Sequence, residues 1–155
     1  MKVFTFYNEY VAKVDLDTIW NFFCHPSNLN LLTPSEFNLK SKNYGFSDSI
    51  YSGMLIEHQL VLFKLIKINW LSEIVHIKEK EYFIDKQIKG PFAFWQHEHR
   101  FEPKQNSTLI KDYVVYSLPL FGLNTLFNKL VITKKLQDLF SYRNKMIDKY
   151  FKGSL

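Results

Sequence analysis

The stretch GPFAFWQHEHRF, residues 90–101, carries Trp95, His97 and His99 at alternating positions. Successive side chains of a β-strand point to opposite faces of the sheet, so these three would share one face. The residue that follows each of them is polar: Gln96, Glu98 and Arg100. The stretch therefore predicts a strand whose polar side faces water and whose tryptophan and histidines face the interior.

Strand-like sequence continues on both sides of this stretch, from Phe37 to Ser117, with turn signals such as Gly90-Pro91. The apolar run over residues 54–77 is rich in β-branched residues but too long for one strand. It therefore predicts two strands joined by a tight turn near Phe63–Ile66. Residues 2–12 also alternate, which predicts a further strand at the beginning of the chain.

Helical patterns flank this strand-rich region. In VDLDTIWNFFCHPSN, residues 14–28, Asp15 can cap a short helix with a buried apolar stripe that ends before Pro26. A second short helical turn continues towards Pro34. From Leu123 onward apolar residues recur mostly at spacings of three and four. This spacing predicts an amphipathic helix of up to about 30 residues, with a bend near Thr133–Lys135.

Together these elements predict an α+β fold in a single domain, residues 1–155, with two short helices after the first strand. We expect a curved antiparallel sheet of about seven strands wrapped around one long C-terminal helix, the helix-grip arrangement. The apolar face of the sheet must be covered, and the long helix is the only predicted element large enough to cover it. A sheet that curls around a helix leaves a cavity between the two.

Composition narrows the classes of function. The net charge of +5, from 20 basic and 15 acidic residues, is scattered and forms no basic stripe, which argues against a nucleic-acid-binding protein. The single cysteine, Cys24, excludes an internal disulfide. No apolar run reaches 18 residues and the N-terminal residues lack a signal-peptide core, so we predict a cytoplasmic protein without a transmembrane segment.

Segments along nearly the whole chain resemble the SRPBCC superfamily, which includes START lipid-transfer domains, birch-pollen allergens and polyketide cyclases. They are IWNFFCHPSNLNLLTP (19–34), GMLIEHQL (53–60), FIDKQIKGPFAFWQHEHRFEP (83–103), TLIKDYVVYSLP (108–119) and LFSYR (139–143). The ordered combination D-x-Q-x-x-G-P, W-x-H-x-H-x-F and D-x-V-x-Y-x-x-P is similar to the small bacterial ligand-binding SRPBCC subgroup. The chain departs from that pattern at Gly53-Met54 and at His58, which touch the predicted pocket wall.

The resemblance implies that the protein binds a small hydrophobic or amphipathic molecule between sheet and helix, as a carrier or sensor. A mostly apolar cavity with a few convergent polar groups is the usual composition of such a site. The high aromatic content, 17% of residues, can supply the apolar wall. The candidate ligand contacts are Trp70, Trp95, His97, His99, Asp112, Tyr116, Phe127 and Phe140.

Other functions stay open at this point. An enzyme of the cyclase, dehydratase or hydrolase type could use His97 or His99 as acid/base with Asp112 as the carboxylate partner. The orientation of Asp85 is undecided, because a two-residue turn at Gly90-Pro91 turns it outward and a bulge reverses that. The His–Asp pair can also be purely structural and satisfy buried polar groups. A protein-interaction module using the exposed sheet face or the basic C-terminal helix is a further alternative.

A metal site is the remaining alternative for the H-x-H pair, since two imidazoles on one strand can share an ion, as in cupins. The spacing from Gly90 to His97 does not match the cupin pattern, and Pro103 and Lys104 stand where an acidic ligand would be expected. No motif supplies a third ligand. From the sequence alone we therefore predict no metal and no cofactor.

Overall fold

A computed structural model of the protein describes residues 2–62, 65–119 and 131–152. The strands in these ranges are β1 (Phe4–Ala12), β2 (Lys40–Asn43), β3 (Leu55–Leu62), β4 (Ile66–Lys78), β5 (Tyr82–Lys89), β6 (Phe94–Lys104) and β7 (Ser107–Ser117). The helices are α1 (Leu16–Phe23) and α2 (Thr133–Tyr150), and two 3-10 helices span Pro26–Asn30 and Ser35–Phe37. None of the helices in the described ranges is long and apolar enough to cross a lipid bilayer.

The seven strands form one antiparallel sheet in the order β1-β7-β6-β5-β4-β3-β2. From β2 to β7, strands that follow each other in the chain are neighbours in the sheet, and β1 pairs with β7. The alternation that predicted β6 is visible as strict alternation of burial, with Trp95, His97, His99 and Phe101 on the buried side. The predicted α+β helix-grip architecture, with its seven strands, is confirmed.

Helix α1 begins as the sequence predicts. The Asp15 carboxylate accepts a hydrogen bond from the backbone N–H of Thr18 at 2.9 Å, which satisfies a donor that the first helical turn leaves free. The buried stripe of α1 packs on the inner face of the sheet. Trp20 meets Phe101 edge to face, with ring centroids 5.4 Å apart, and also contacts Phe83. These aromatic contacts attach α1 to β5 and β6.

Helix α2 lies across the sheet with its apolar stripe inward. Leu136, Phe140 and Ile147 are buried, and their spacings of four and seven residues place them on one helical face. A π-helical turn at residues 131–132 precedes α2, close to the bend predicted near Thr133–Lys135. The predicted helix start at Leu123 lies outside the described residues, as does Phe127.

The connection between β5 and β6 decides which side chains of β5 face the interior. The strands pair with Asp85 opposite His97, and the connection runs from Gly90 to Ala93. The Gln87 side chain donates through Nε2 to the Phe92 carbonyl oxygen and accepts at Oε1 from the Phe92 backbone N–H. A β-carbon on Gly90 would lie 2.3 Å from Gln87 Oε1. Of the two alternatives for Asp85, the two-residue turn that would point it outward therefore does not occur. Asp85 shares the inner face with His97, because directly opposed residues lie on the same side of a sheet.

We expect Trp20→Ala to lower the free energy of unfolding by about 3–5 kcal/mol, because it empties a buried aromatic site between α1 and the sheet. Urea denaturation of the purified protein measures this. Ile88→Ala, at a half-exposed position of β5, is the control and should cost less than about 1 kcal/mol. Equal losses in the two variants would contradict the packing described for α1.

Candidate functional site

A cavity of about 970 Å³ lies between the inner face of the sheet and α2. Its walls come from α1, the first 3-10 helix, strands β3 to β6 and α2, and most of the lining side chains are apolar. Ionisable side chains interrupt this apolar wall. His25, Glu36 and Lys135 also line the cavity, and the five considered below are His58, Asp85, His97, His99 and Arg143. The volume is at the upper end of the usual range for sites that hold small organic molecules.

The structure brings five of the predicted ligand contacts to the wall of this cavity: Trp70, Trp95, His97, His99 and Phe140. Asp112 and Tyr116 lie one layer behind the wall. Tyr116 is fully buried against Phe92 and Trp95, and Asp112 is buried beneath the two histidines. Both residues lie on the buried face of the sheet, and their role as ligand contacts stays a prediction. Phe127 lies outside the described residues.

His97, His99, Asp85 and Asp112 form one compact group, which we call the His–Asp cluster. The two imidazoles lie side by side, with ring centroids 3.7 Å apart. On one side, His97 Nε2 donates to Asp112 Oδ1 at 2.9 Å, and His99 Nδ1 lies 3.1 Å from the same oxygen without the direction of a hydrogen bond. On the other side, Asp85 Oδ2 lies 3.5 Å from His97 Nδ1 and 3.4 Å from His99 Nε2. Each imidazole therefore stands between two carboxylates.

Asn8 completes the surroundings of Asp112. Its side-chain Nδ2 donates to Asp112 Oδ2 at 3.2 Å, so both carboxylate oxygens of Asp112 accept a hydrogen bond. This partner was missed from the sequence. Asn8 belongs to the same alternating set of β1 as Phe6 and Tyr10, and this alternation could have indicated that its side chain faces inward.

The charges in the cluster follow from burial and from the neighbours. Burial disfavours ionisation of Asp112, but the hydrogen bond from His97 and the closeness of both imidazoles outweigh this and lower its pKa well below the ordinary value. The pKa of Asp85 is lowered in the same way by the histidines. Burial and the charge of His99 lower the pKa of His97, whereas the two carboxylates overcome burial and raise the pKa of His99. The two imidazoles are therefore shifted in opposite directions, although both stand between the same two carboxylates.

Arg143, on α2, brings a positive charge to the cavity wall. Its guanidinium lies over the Phe140 ring, 5.0 Å from the centroid. The Nε atom is buried and has no hydrogen-bond partner among the described residues. Burial lowers the pKa of Arg143, and the charges of Asp112 and Asp85 oppose that shift. The sequence offers little indication that Arg143 lines the cavity, because helical spacing predicts which face of the helix a residue occupies and not how deeply its side chain is buried.

His58 is another ionisable wall residue that the sequence analysis did not select. It lies on β3, and its Nδ1 is 2.9 Å from the Ser41 hydroxyl of β2. Burial lowers the pKa of His58 to about 4, while Asp85 favours its charged form and Arg143 opposes it. The departure of this position from the family pattern was noted in the sequence and was the available signal.

The polar side chains lie at one level of the interior, which we call the polar belt: Asn8, Asp85, His97, His99, Asp112 and Arg143. On one side of the belt is an apolar cluster around Trp20, Phe101 and Ile147. On the other side is a second cluster around Trp95 and Phe140. The belt crosses β1, β7, β6, β5 and α2 between the two clusters. β6 contributes two polar residues to it, His97 and His99, and each of the other elements contributes one.

Comparison with solved structures identifies the fold. No protein-family model and no curated protein matches the sequence. The fold is similar to that of major latex-like protein 151 from Panax ginseng, with a TM-score of 0.73 at 14% identity over 96% of this chain and 97% of that chain. Norcoclaurine synthase from Thalictrum flavum, in complex with dopamine and hydroxybenzaldehyde, gives 0.69 at 16% identity over 96% and 86%. Ara h 8.0201 gives 0.67 at 14% identity over 94% and 98%.

These neighbours are SRPBCC proteins of the pollen-allergen type, and the described chain shares their helix-grip fold. The fold predicted from the sequence resemblance is confirmed. At such low identities the likeness concerns the path of the chain, and the chemistry of the cavity depends on this protein's own side chains.

His58 gives a prediction for the pH dependence of stability. Its pKa is about 4 in the folded protein, against 6.5 for an exposed histidine, so the unfolded chain binds more protons between these values. Stability should therefore fall as the pH drops from about 6.5 to 4, with His58 contributing at most roughly 3 kcal/mol. Urea denaturation at pH 7, 5.5 and 4.5 should show a shallower fall for His58→Gln than for the wild type. Parallel curves for the two proteins would contradict the burial described for His58.

Proposed function

We propose that the protein binds a small apolar or amphipathic molecule in the cavity between the sheet and α2, as a carrier or sensor. The observation that carries this proposal is the cavity itself, about 970 Å³ in volume and bounded mainly by apolar side chains. Transfer of an apolar molecule from water into such a space is favourable by roughly 25 cal/mol for each Å² of apolar surface that is buried. A space of this kind at the centre of a small domain is typical of a ligand site.

The solved structures support the same class of function. Norcoclaurine synthase shares the fold and has been crystallised in complex with dopamine and hydroxybenzaldehyde, which are small organic molecules. The likeness extends to the fold alone, so it does not identify the ligand of this protein.

The ionisable wall residues favour an amphipathic ligand over a purely apolar one. Arg143 offers a guanidinium whose Nε has no partner among the described residues, and His58 lines the same cavity. A buried donor without an acceptor costs about 1–3 kcal/mol, and a polar group on the ligand can recover part of that cost. We therefore expect a ligand with an apolar body and at least one group that accepts hydrogen bonds.

Native mass spectrometry of freshly purified protein tests whether an organic molecule copurifies. A fluorescent apolar probe, N-phenyl-1-naphthylamine, then measures the capacity of the emptied cavity. Trp70 and Trp95 line the cavity, so energy transfer from tryptophan to the probe reports binding at this place. The proposal would be contradicted if no organic molecule copurifies and the emptied protein shows no saturable binding of the probe.

We expect Leu60→Trp to weaken probe binding at least tenfold, because Leu60 lines the cavity and the larger side chain occupies part of it. Gln59→Trp is the matched control: Gln59 is the preceding residue of β3 and is exposed on the opposite face of the sheet. It should bind the probe with wild-type affinity. If the two variants behave alike, the probe binds elsewhere.

Acid–base catalysis is a second candidate function, favoured by one observation. His97 and His99 both line the cavity, and His97 is hydrogen-bonded to Asp112. This is the arrangement that a cyclase, dehydratase or hydrolase needs from a base and the carboxylate that orients it. The test is to incubate the copurified molecule with the wild type and with His97→Gln. A mass change that only the wild type produces would favour the enzyme over the carrier.

The protein-interaction alternative stays a prediction with less support. Phe46 and Leu65 are strongly exposed apolar residues, at 90% and 86%, but they lie in different connections of the sheet. Single exposed apolar side chains are common on soluble proteins and do not mark an interface by themselves.

A further inference from the structure

We infer that Asp85, His97 and His99 bind a divalent transition-metal cation of the zinc class at the wall of the cavity. Each residue contributes one donor atom, and the three donor atoms all lie within 4.8 Å of one another. Imidazole nitrogens together with a carboxylate oxygen are ligands that zinc, iron and nickel accept. The inference concerns a different kind of ligand from the organic molecule proposed above and does not depend on it.

The distances on the Asp85 side fit an ion better than a hydrogen bond. Asp85 Oδ2 lies 3.5 Å from His97 Nδ1 and 3.4 Å from His99 Nε2, beyond the usual 2.7–3.2 Å of an N–H···O hydrogen bond. In a tetrahedral site with bonds of about 2.0–2.1 Å, neighbouring donor atoms are about 3.3 Å apart. The spacing therefore leaves room for a cation between these atoms.

The Asp112 side has the arrangement that supports metal-binding histidines. A histidine that binds a metal through one ring nitrogen usually donates the other N–H to a carboxylate or carbonyl. His97 Nε2 donates to Asp112 Oδ1 at 2.9 Å, which leaves Nδ1 as the acceptor nitrogen that faces Asp85. His99 Nδ1 lies 3.1 Å from the same oxygen, and its Nε2 faces Asp85. Asn8 holds the second oxygen of Asp112 and so keeps this carboxylate in place.

Burial and charge also suit a cation. His97 and His99 are 4% and 8% exposed, and both line the cavity together with Asp85. Three protein ligands leave further coordination positions open towards the cavity, as in zinc sites that bind water or a substrate. Asp85 and Asp112, whose pKa values are lowered, supply two negative charges for a divalent ion. The cavity wall also carries the cationic side chains Arg143 and Lys135, and binding of the ion requires both imidazoles in their neutral form.

This inference revises the expectation of no metal. That expectation rested on the mismatch with the cupin pattern and on the missing third ligand. The third ligand is Asp85, which β5 brings in from a neighbouring strand of the sheet and not from the H-x-H segment.

Titration of untagged, chelator-treated protein with Co²⁺ tests the inference directly. We expect one Co²⁺ per chain, visible d–d absorption bands of a four- or five-coordinate ion with nitrogen ligands, and loss of these bands when Zn²⁺ is added. Wild-type protein that gives no such bands with excess Co²⁺ would overturn the inference without recourse to any variant.

Variants locate the ion. Asp85→Asn and His99→Gln should each lower the affinity for Zn²⁺ at least tenfold, and Asp112→Asn should lower it by about 10–100-fold through the histidines it orients. His76→Gln is the control for surface binding, since His76 is exposed on β4, and should keep wild-type affinity. Far-UV circular dichroism checks that each variant is folded. Unchanged affinity in a folded Asp85→Asn variant, or loss of binding in His76→Gln, would overturn the assignment.

Discussion

The buried hydrogen bond between His97 and Asp112 constrains the interior of the protein. A carboxylate and an imidazole in an apolar interior are costly unless they are paired. Asp112 meets this requirement with His97 on one oxygen and Asn8 on the other, which joins β6, β7 and β1 at one level. The register of these three strands is therefore tied to a polar interaction as well as to apolar burial.

The polar belt divides what would otherwise be one continuous core. Apolar clusters pack on both sides of it, and α2 crosses both, with Phe140 in one cluster and Ile147 in the other. Arg143 stands between these two residues on the same helix, level with the carboxylates. A layer of polar side chains cannot close as tightly as interlocking apolar ones, because each group needs a partner or solvent. The cavity borders the belt at this level, so its wall combines aromatic surface with ionisable groups.

Much of the architecture could be predicted from the sequence because it depends on local periodicity. The alternation in β6, the Asp15 cap and the apolar spacing in α2 each specify an element independently of the rest. Depth was harder to predict. Tyr116 faces inward as expected, but Phe92 and Trp95 separate it from the cavity, and only three-dimensional packing decides that. The sequence did not decide which way Asp85 faces, because the side-chain period of a strand is two and one residue more or less in the connection after β5 reverses every position.

The connection from Gly90 to Ala93 has a wider consequence for how this interior can change. Shortening it by one residue would keep the composition of β5 and yet exchange Phe83 and Asp85 for their neighbours Ile84 and Lys86 inside the domain. An anionic, aromatic lining would become an aliphatic, cationic one. An insertion or deletion of one residue in a short surface connection can thus change which functional groups line the cavity, with no substitution at the cavity wall.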